Sequence, residues 1–138
     1  MHYKYSGGAM SAKDFSWELS ERLQQIIEVN VLPGGCLLSF CDPLYSAARG
    51  GYHPVEIAVG ANGAIRHITD FCYAGTPPCE ELVKCLDFDF DAAEFSNMGM
   101  VSGFGPEHEL LFRLWMFYFC IYYDMGVFKV TVSPERRF

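Results

Sequence analysis

Three aspartates at alternate positions, Asp87, Asp89 and Asp91, are the densest set of potentially chemical side chains in the chain. Carboxylates two residues apart on a strand point to one side, where they could converge on a hard cation. An EF-hand loop starting at Asp87 would need Gly near position 92 and Glu at 98, and the chain has Ala92 and Met98. A solvated sheet face is the ordinary role of such a run. His53 and His67 add imidazoles, and His53 with an acid such as Asp70 could move a proton, although no nucleophile accompanies it in sequence. His108-Glu109 is followed by Leu110, Leu111 and Phe112, so the second His of a HExxH zinc site is missing. Gly103-x-Gly105 precedes a helix but lacks the remaining glycine of a phosphate loop, and Glu107 and Glu109 already place negative charge there. Six cysteines occur without a CxxC pair, so no zinc knuckle is expected and neither metal nor cofactor is assigned. The eleven-residue connection from Asp42 to Tyr52, with Tyr45, Arg49, Gly50 and Gly51, has the length of a functional loop.

These residues must be positioned by a small set of elements. Residues 1–10 are polar and glycine-bearing and read as frayed. Phe15, Leu19, Leu23, Ile26 and Ile27 recur at three- and four-residue spacing, which predicts a helix from about Ala12 to Val29, capped by Ser11 or Ser16. Pro33-Gly34-Gly35 leads into a strand, Cys36 to Phe40. A hairpin follows, His53 to Val59 and Ile65 to Tyr73. Two registers compete for it. A two-residue Asn62-Gly63 turn pairs Ala58 with His67 and puts Val55, Ile57 and Val59 on the face of Arg66 and Asp70. A three-residue Ala61-Asn62-Gly63 loop groups them with Ile65, Phe71 and Tyr73, leaves Glu56, Arg66 and Asp70 on the other face, turns His67 and Thr69 inward and puts Ile68 outward. The second is preferred. It places His53 opposite Phe71, ~13 Å along the strand from His67, so the two histidines cannot share a metal. Glu81 to Phe90 alternates Leu82, Lys84, Leu86, Phe88 and Phe90 against Val83, Cys85, Asp87 and Asp89, as a strand does. Residues 91–104 read as irregular with a short helical turn. A second helix runs from Gly105-Pro106 to Asp124, before Gly126, and Val127 to Val132 forms a last strand.

The predicted class is therefore α+β, in the order α-β-β-β-β-α-β, with a largely antiparallel sheet of about five strands packed by two helices in a single domain over 1–138. The chain is 51% hydrophobic and 16% aromatic, more apolar surface than a small domain readily hides, and Trp115, Phe117, Tyr118, Phe119, Tyr122 and Tyr123 nearly encircle the second helix. A formal charge of −7 makes nucleic acid a poor partner. The apolar run from Leu110 to Tyr123 is shorter than the ~20 residues of a membrane span. With no apolar leader after Met1, a reducing cytoplasm is expected, with buried free thiols.

Three stretches carry a resemblance: Phe40-Cys41-Asp42-Pro43-Leu44-Tyr45-Ser46 with Gly50-Gly51-Tyr52-His53-Pro54-Val55-Glu56-Ile57, then Ile68 to Gly75, then Glu81 to Phe90. With the closing Tyr122-Tyr123-Asp124-Met125-Gly126-Val127-Phe128, residues 36–133 resemble a small bacterial family, domain of unknown function 2787. The resemblance implies a compact bacterial domain and transfers no catalytic or binding residue. The balance favours a non-enzymatic binding or protein-interaction domain, homodimeric, over an enzyme. Its candidate binding residues are Tyr45, Arg49, Tyr52, His53, Glu56, Asp70, Asp87 and Asp89. The alternative is a small metal-dependent or acid/base hydrolase using His53 with Glu56, Asp70, Asp87 or Asp89.

Overall fold

The structure, a computed structural model, describes residues 17–134. The segment 1–10 expected to fray, the expected helix start at Ala12, Phe15 and the expected caps at Ser11 and Ser16 lie outside the described residues. The first helix, α1, spans Glu21–Asn30, and its cap is Ser20, whose Oγ accepts from the Leu23 amide at 3.2 Å. Trp17 and Leu19 therefore enter the core from a non-helical arm, so the helix expected from about Ala12 does not cover 17–20, while Leu23, Ile26 and Ile27 are buried from the helix as their spacing predicts.

Seven strands follow: β1 (Cys36–Cys41), β2 (Val55–Val59), β3 (Ile65–Ala74), β4 (Glu81–Asp89), β5 (Glu94–Asn97), β6 (Met100–Gly103) and, after the second helix, β7 (Lys129–Pro134). All neighbours pair antiparallel in the order β6-β5-β4-β3-β2-β1-β7. The α+β class holds, but five strands is too few. The stretch 91–104 is a hairpin, not an irregular segment. Its two four-residue strands turn through Met98 and Gly99, both at positive φ (51° and 86°), the backbone a two-residue turn requires. Only Phe95 of this hairpin's strands is buried, so no alternation long enough to read as a strand exists there.

The helix α2 (Pro106–Asp124) starts and stops where Pro106 and Gly126 predict. Its N-terminus is closed by His108, whose Nδ1 accepts from the Gly105 amide at 2.8 Å. Because β6 and β7 are opposite edges of the sheet, α2 must cross its whole width. Nineteen residues at 1.5 Å give roughly 28 Å, matching six strand spacings of ~4.8 Å. One buried cluster joins both helices to Leu38, Phe40, Ile57, Ile68, Phe88 and Phe90, so both cover the same sheet face. Aromatic rings fill it: Trp17 stacks on Phe104 at 4.2 Å, and Phe119 meets Phe40 edge-on at 5.0 Å.

The β2–β3 hairpin combines both predicted registers. Its loop is the three-residue one, with Gly63 at φ 82° and Val59 paired to Ile65. A bulge then shifts the pairing to Ala58–His67, Ile57–Ile68 and Val55–Asp70. One extra residue reverses every facing beyond it. Ile68 is fully buried, His67 and Thr69 turn to the opposite face, Phe71 and Tyr73 leave the core, and Asp70 turns inward, correcting the predicted facing of all six.

Candidate functional site

Asp70 is one of three buried polar or charged residues among those described, and two backbone irregularities put it there. The first is the β2–β3 bulge. The second lies between β3 and β4, where Thr69 pairs with Asp87 but Phe71 pairs with Lys84, so Cys85 and Leu86 together oppose Asp70. The Leu86 amide, left out of the ladder, is taken by Asp70 Oδ1 at 2.8 Å. Oδ2 accepts from Trp115 Nε1 of α2 at 3.2 Å and lies 4.0 Å from His53 Nδ1. Two residues against one also bring the Cys85 thiol to the Asp70 side, where it feels that carboxylate and the Cys72 thiol. One ligand atom each from His53, Asp70 and Cys85 fall within 4.8 Å of one another.

His53 arrives from the 42–52 loop, which Asp42 holds shut. The buried Asp42 carboxylate accepts from the Leu44 amide at 2.9 Å and, ten residues on, from the Tyr52 amide at 3.1 Å. Gly51, at φ 138°, passes so close that a Cβ there would sit 2.8 Å from Asp42 Oδ2 and 3.1 Å from Tyr45 Cα. Tyr45 fixes the other side: its hydroxyl accepts from the Tyr73 amide at 3.2 Å, and its ring lies 5.7 Å from that of His53.

Loop, sheet and α2 enclose a cleft of about 450 Å³, with Tyr52 and His53 on one wall, Leu111, Trp115 and Tyr118 of α2 on the other, and Asp70 on its floor. The walls are mostly apolar, with few polar groups, as in small-ligand and peptide-anchor sites. Burial raises the Asp70 carboxyl above the ordinary range, against the lowering effect of the Leu86 and Trp115 hydrogen bonds. Burial, then the Asp70 charge, pushes the Cys85 thiol up to about 12. A thiol so placed is protonated at neutral pH and is no ready nucleophile.

Of the residues singled out from sequence, Tyr52, His53 and Asp70 line this cleft, and Tyr45 braces His53. Arg49 stands exposed in the loop, its amide bonded to Ser46 Oγ at 3.0 Å. Glu56, Asp87 and Asp89 lie on the opposite sheet face, where Glu56 and Asp87 both pair with Thr69 and Asp89 pairs with His67. There the Thr69 hydroxyl donates to Asp87 Oδ1 at 2.6 Å and so accepts from His67 Nδ1 at 3.2 Å. Asp89 bonds the Ala92 amide and Asp91 pairs with Arg66, so the three aspartates have separate partners and do not converge. Cys85 was missed because strict alternation groups it with Asp87 and Asp89, and only the bulge reverses it. Nothing in the residue types marks that bulge.

A one-sided antiparallel sheet crossed by a single helix, with a buried carboxylate beneath an apolar cleft, defines a small α+β domain built around a recess. Over residues 15–133 the chain matches the model of DUF2787, a protein family of unknown function, and it belongs to that family. The match extends the resemblance seen at 36–133 back through α1. Two solved structures from Vibrio cholerae are similar. One is the hypothetical protein VC0508 from the VSP-II pathogenicity island, 30% identical, with a TM-score of 0.69 and covering 84% of this chain and 94% of its own. The other is the conserved hypothetical protein VC1805 from pathogenicity island VPI-2, also 30% identical, with a TM-score of 0.68 and covering 83% and 94%. That second protein is described as sharing structural homology with the human P32 protein. No protein with a curated description matches the chain.

Proposed function

We propose that the chain is a non-enzymatic protein-interaction module of the bacterial cytoplasm that pairs with a second copy of itself across the outward face of α2. The observation that carries this reading is a stripe of exposed apolar side chains on that helix: Leu110, Leu114, Phe117 and Ile121, at 69, 53, 60 and 38% exposure. They recur at helical spacing on the side away from the sheet, while Phe112, Met116, Phe119 and Cys120 fill the core. A helix apolar on both sides with a sheet on only one has half its apolar surface unspent. Two-fold pairing of α2 with α2 would cover the same stripe in both copies, with no other partner required. The formal charge of −7 argues against polyanionic partners, and six unpaired thiols fit a reducing compartment. The hydrolase alternative needs several carboxylates around His53, and of Glu56, Asp70, Asp87 and Asp89 only Asp70 shares its side of the sheet.

Sedimentation velocity on the full chain tests the reading. The wild type sediments as a dimer at micromolar concentration, and Phe117→Glu as a folded monomer. Burying one such ring per protomer is worth about 1.5–3 kcal/mol, and two copies take the loss past roughly a hundredfold in Kd. A wild-type chain that stays monomeric across the micromolar range refutes it.

A further inference from the structure

We infer that His53, Asp70 and Cys85 form a binding site for a thiophilic divalent cation, zinc above all, whose fourth coordination position opens into the cleft beside α2. The three side chains offer one nitrogen, one oxygen and one sulfur, all within 4.8 Å of one another. Around tetrahedral zinc, with bonds of about 2.0–2.3 Å, such atoms stand roughly 3.3–3.8 Å apart. His53 Nδ1 to Asp70 Oδ2 is already 4.0 Å, and His53, its side chain 41% exposed, has room to close the rest by side-chain rotation. The donor set selects the metal. A single carboxylate cannot satisfy calcium or magnesium, whereas imidazole with thiolate suits zinc.

The supporting groups are in place as well. Asp70 Oδ1 is held by the Leu86 amide and Oδ2 by the Trp115 indole, which leaves a lone pair of Oδ2 on the His53 side. The Cys72 thiol is close enough to influence that of Cys85 and lies 3.7 Å from Met98 Sδ, so the sulfur side is lined by further soft atoms. The three ligands come from a loop, a strand and a bulge in the neighbouring strand, which explains why no ligand spacing is visible in sequence. With three protein ligands the fourth position is left to water or to a donor atom of whatever occupies the apolar cleft. On binding, Cys85 forms an S–Zn bond and its thiol proton passes to solvent; no oxidant or reductant is involved.

The site does not depend on self-association through α2, so each can fail alone. The test uses the full chain, reduced, stripped with chelator, then titrated with cobalt(II) and competed with zinc against an indicator dye. The expected result is one metal per chain with a thiolate-to-cobalt charge-transfer band. Cys85→Ser abolishes the band, and His53→Gln, in an exposed position that should not disturb folding, weakens zinc binding by roughly a hundredfold or more. Cys41→Ser, on an exposed cysteine, leaves both unchanged. No charge-transfer band with the wild type, or a band that survives Cys85→Ser, overturns the assignment.

Discussion

Replacing Asp42 by Ala should unfasten the loop that carries Tyr52 and His53, and the cost can be worked from its two hydrogen bonds. Asp42 is 8% exposed, and its carboxylate accepts from the Leu44 and Tyr52 amides. Leu44 is 62% exposed, so its amide can recruit water and the loss there is about 1 kcal/mol. The Tyr52 amide, in a half-buried residue, forfeits a bond to a charged acceptor, about 2 kcal/mol more. For 138 residues the unfolding entropy is roughly 0.29 kcal/mol/K, so ~3 kcal/mol lowers Tm by roughly 10 °C. Asp42→Asn keeps an amide oxygen for one of the two donors and should fall by about half as much. Gly51→Ala attacks the same junction from the other side, since its Cβ would meet Asp42 Oδ2 at 2.8 Å in a left-handed backbone, and should cost ~1–3 kcal/mol. The assay is thermal denaturation followed by circular dichroism, paired with hydrogen exchange at the Tyr52 amide. A melting point for Asp42→Ala within ~2 °C of wild type, with the Tyr52 amide as protected as before, would refute the reasoning.

Phe88→Ala removes a fully buried ring that packs against Trp17, Phe95, Phe112 and Trp115 and should cost ~3–5 kcal/mol, with a urea midpoint close to wild type as the contrary result. Asp70→Asn should change how stability depends on pH when measured with chelator present. Burial raises the Asp70 carboxyl in the folded chain, so its favourable contribution is complete below the unfolded-state pKa and is lost as pH rises through the folded one. Wild type should therefore lose stability relative to the Asn variant between acid and neutral pH in urea titrations; parallel curves, or a gain, would contradict the sign.

What the residue pattern revealed depended on how long each pattern runs. The apolar spacing of Leu23, Ile26 and Ile27 and the Pro106–Gly126 brackets located both helices, because those signals repeat over several turns. The β5–β6 hairpin was invisible, since four-residue strands with one buried side chain carry no period. The site was half legible. Tyr52, His53 and Asp70 stood out by residue type and do meet, but their meeting depends on two bulges, at Ala58/Val59 and Thr69/Phe71, that no residue preference announces. Strict alternation accordingly put Asp70 and Cys85 on the wrong face, and grouped Asp87 and Asp89 into a cluster that the structure disperses among Thr69 and the Ala92 amide.

The helix that crosses the sheet also sets an order of events. The strand β1, which ends at Cys41 beside the Asp42 clasp, gains its second neighbour only from β7, a segment nearly the whole described chain away in sequence. Loop closure over that span is among the costlier in the fold, and because β7 follows α2 in the chain it is synthesised long after β1. Until then β1 presents an open edge of unpaired amides and carbonyls, able to template on another chain. The segment at greatest risk during synthesis is thus the one that anchors the recess, and its protection is delivered last.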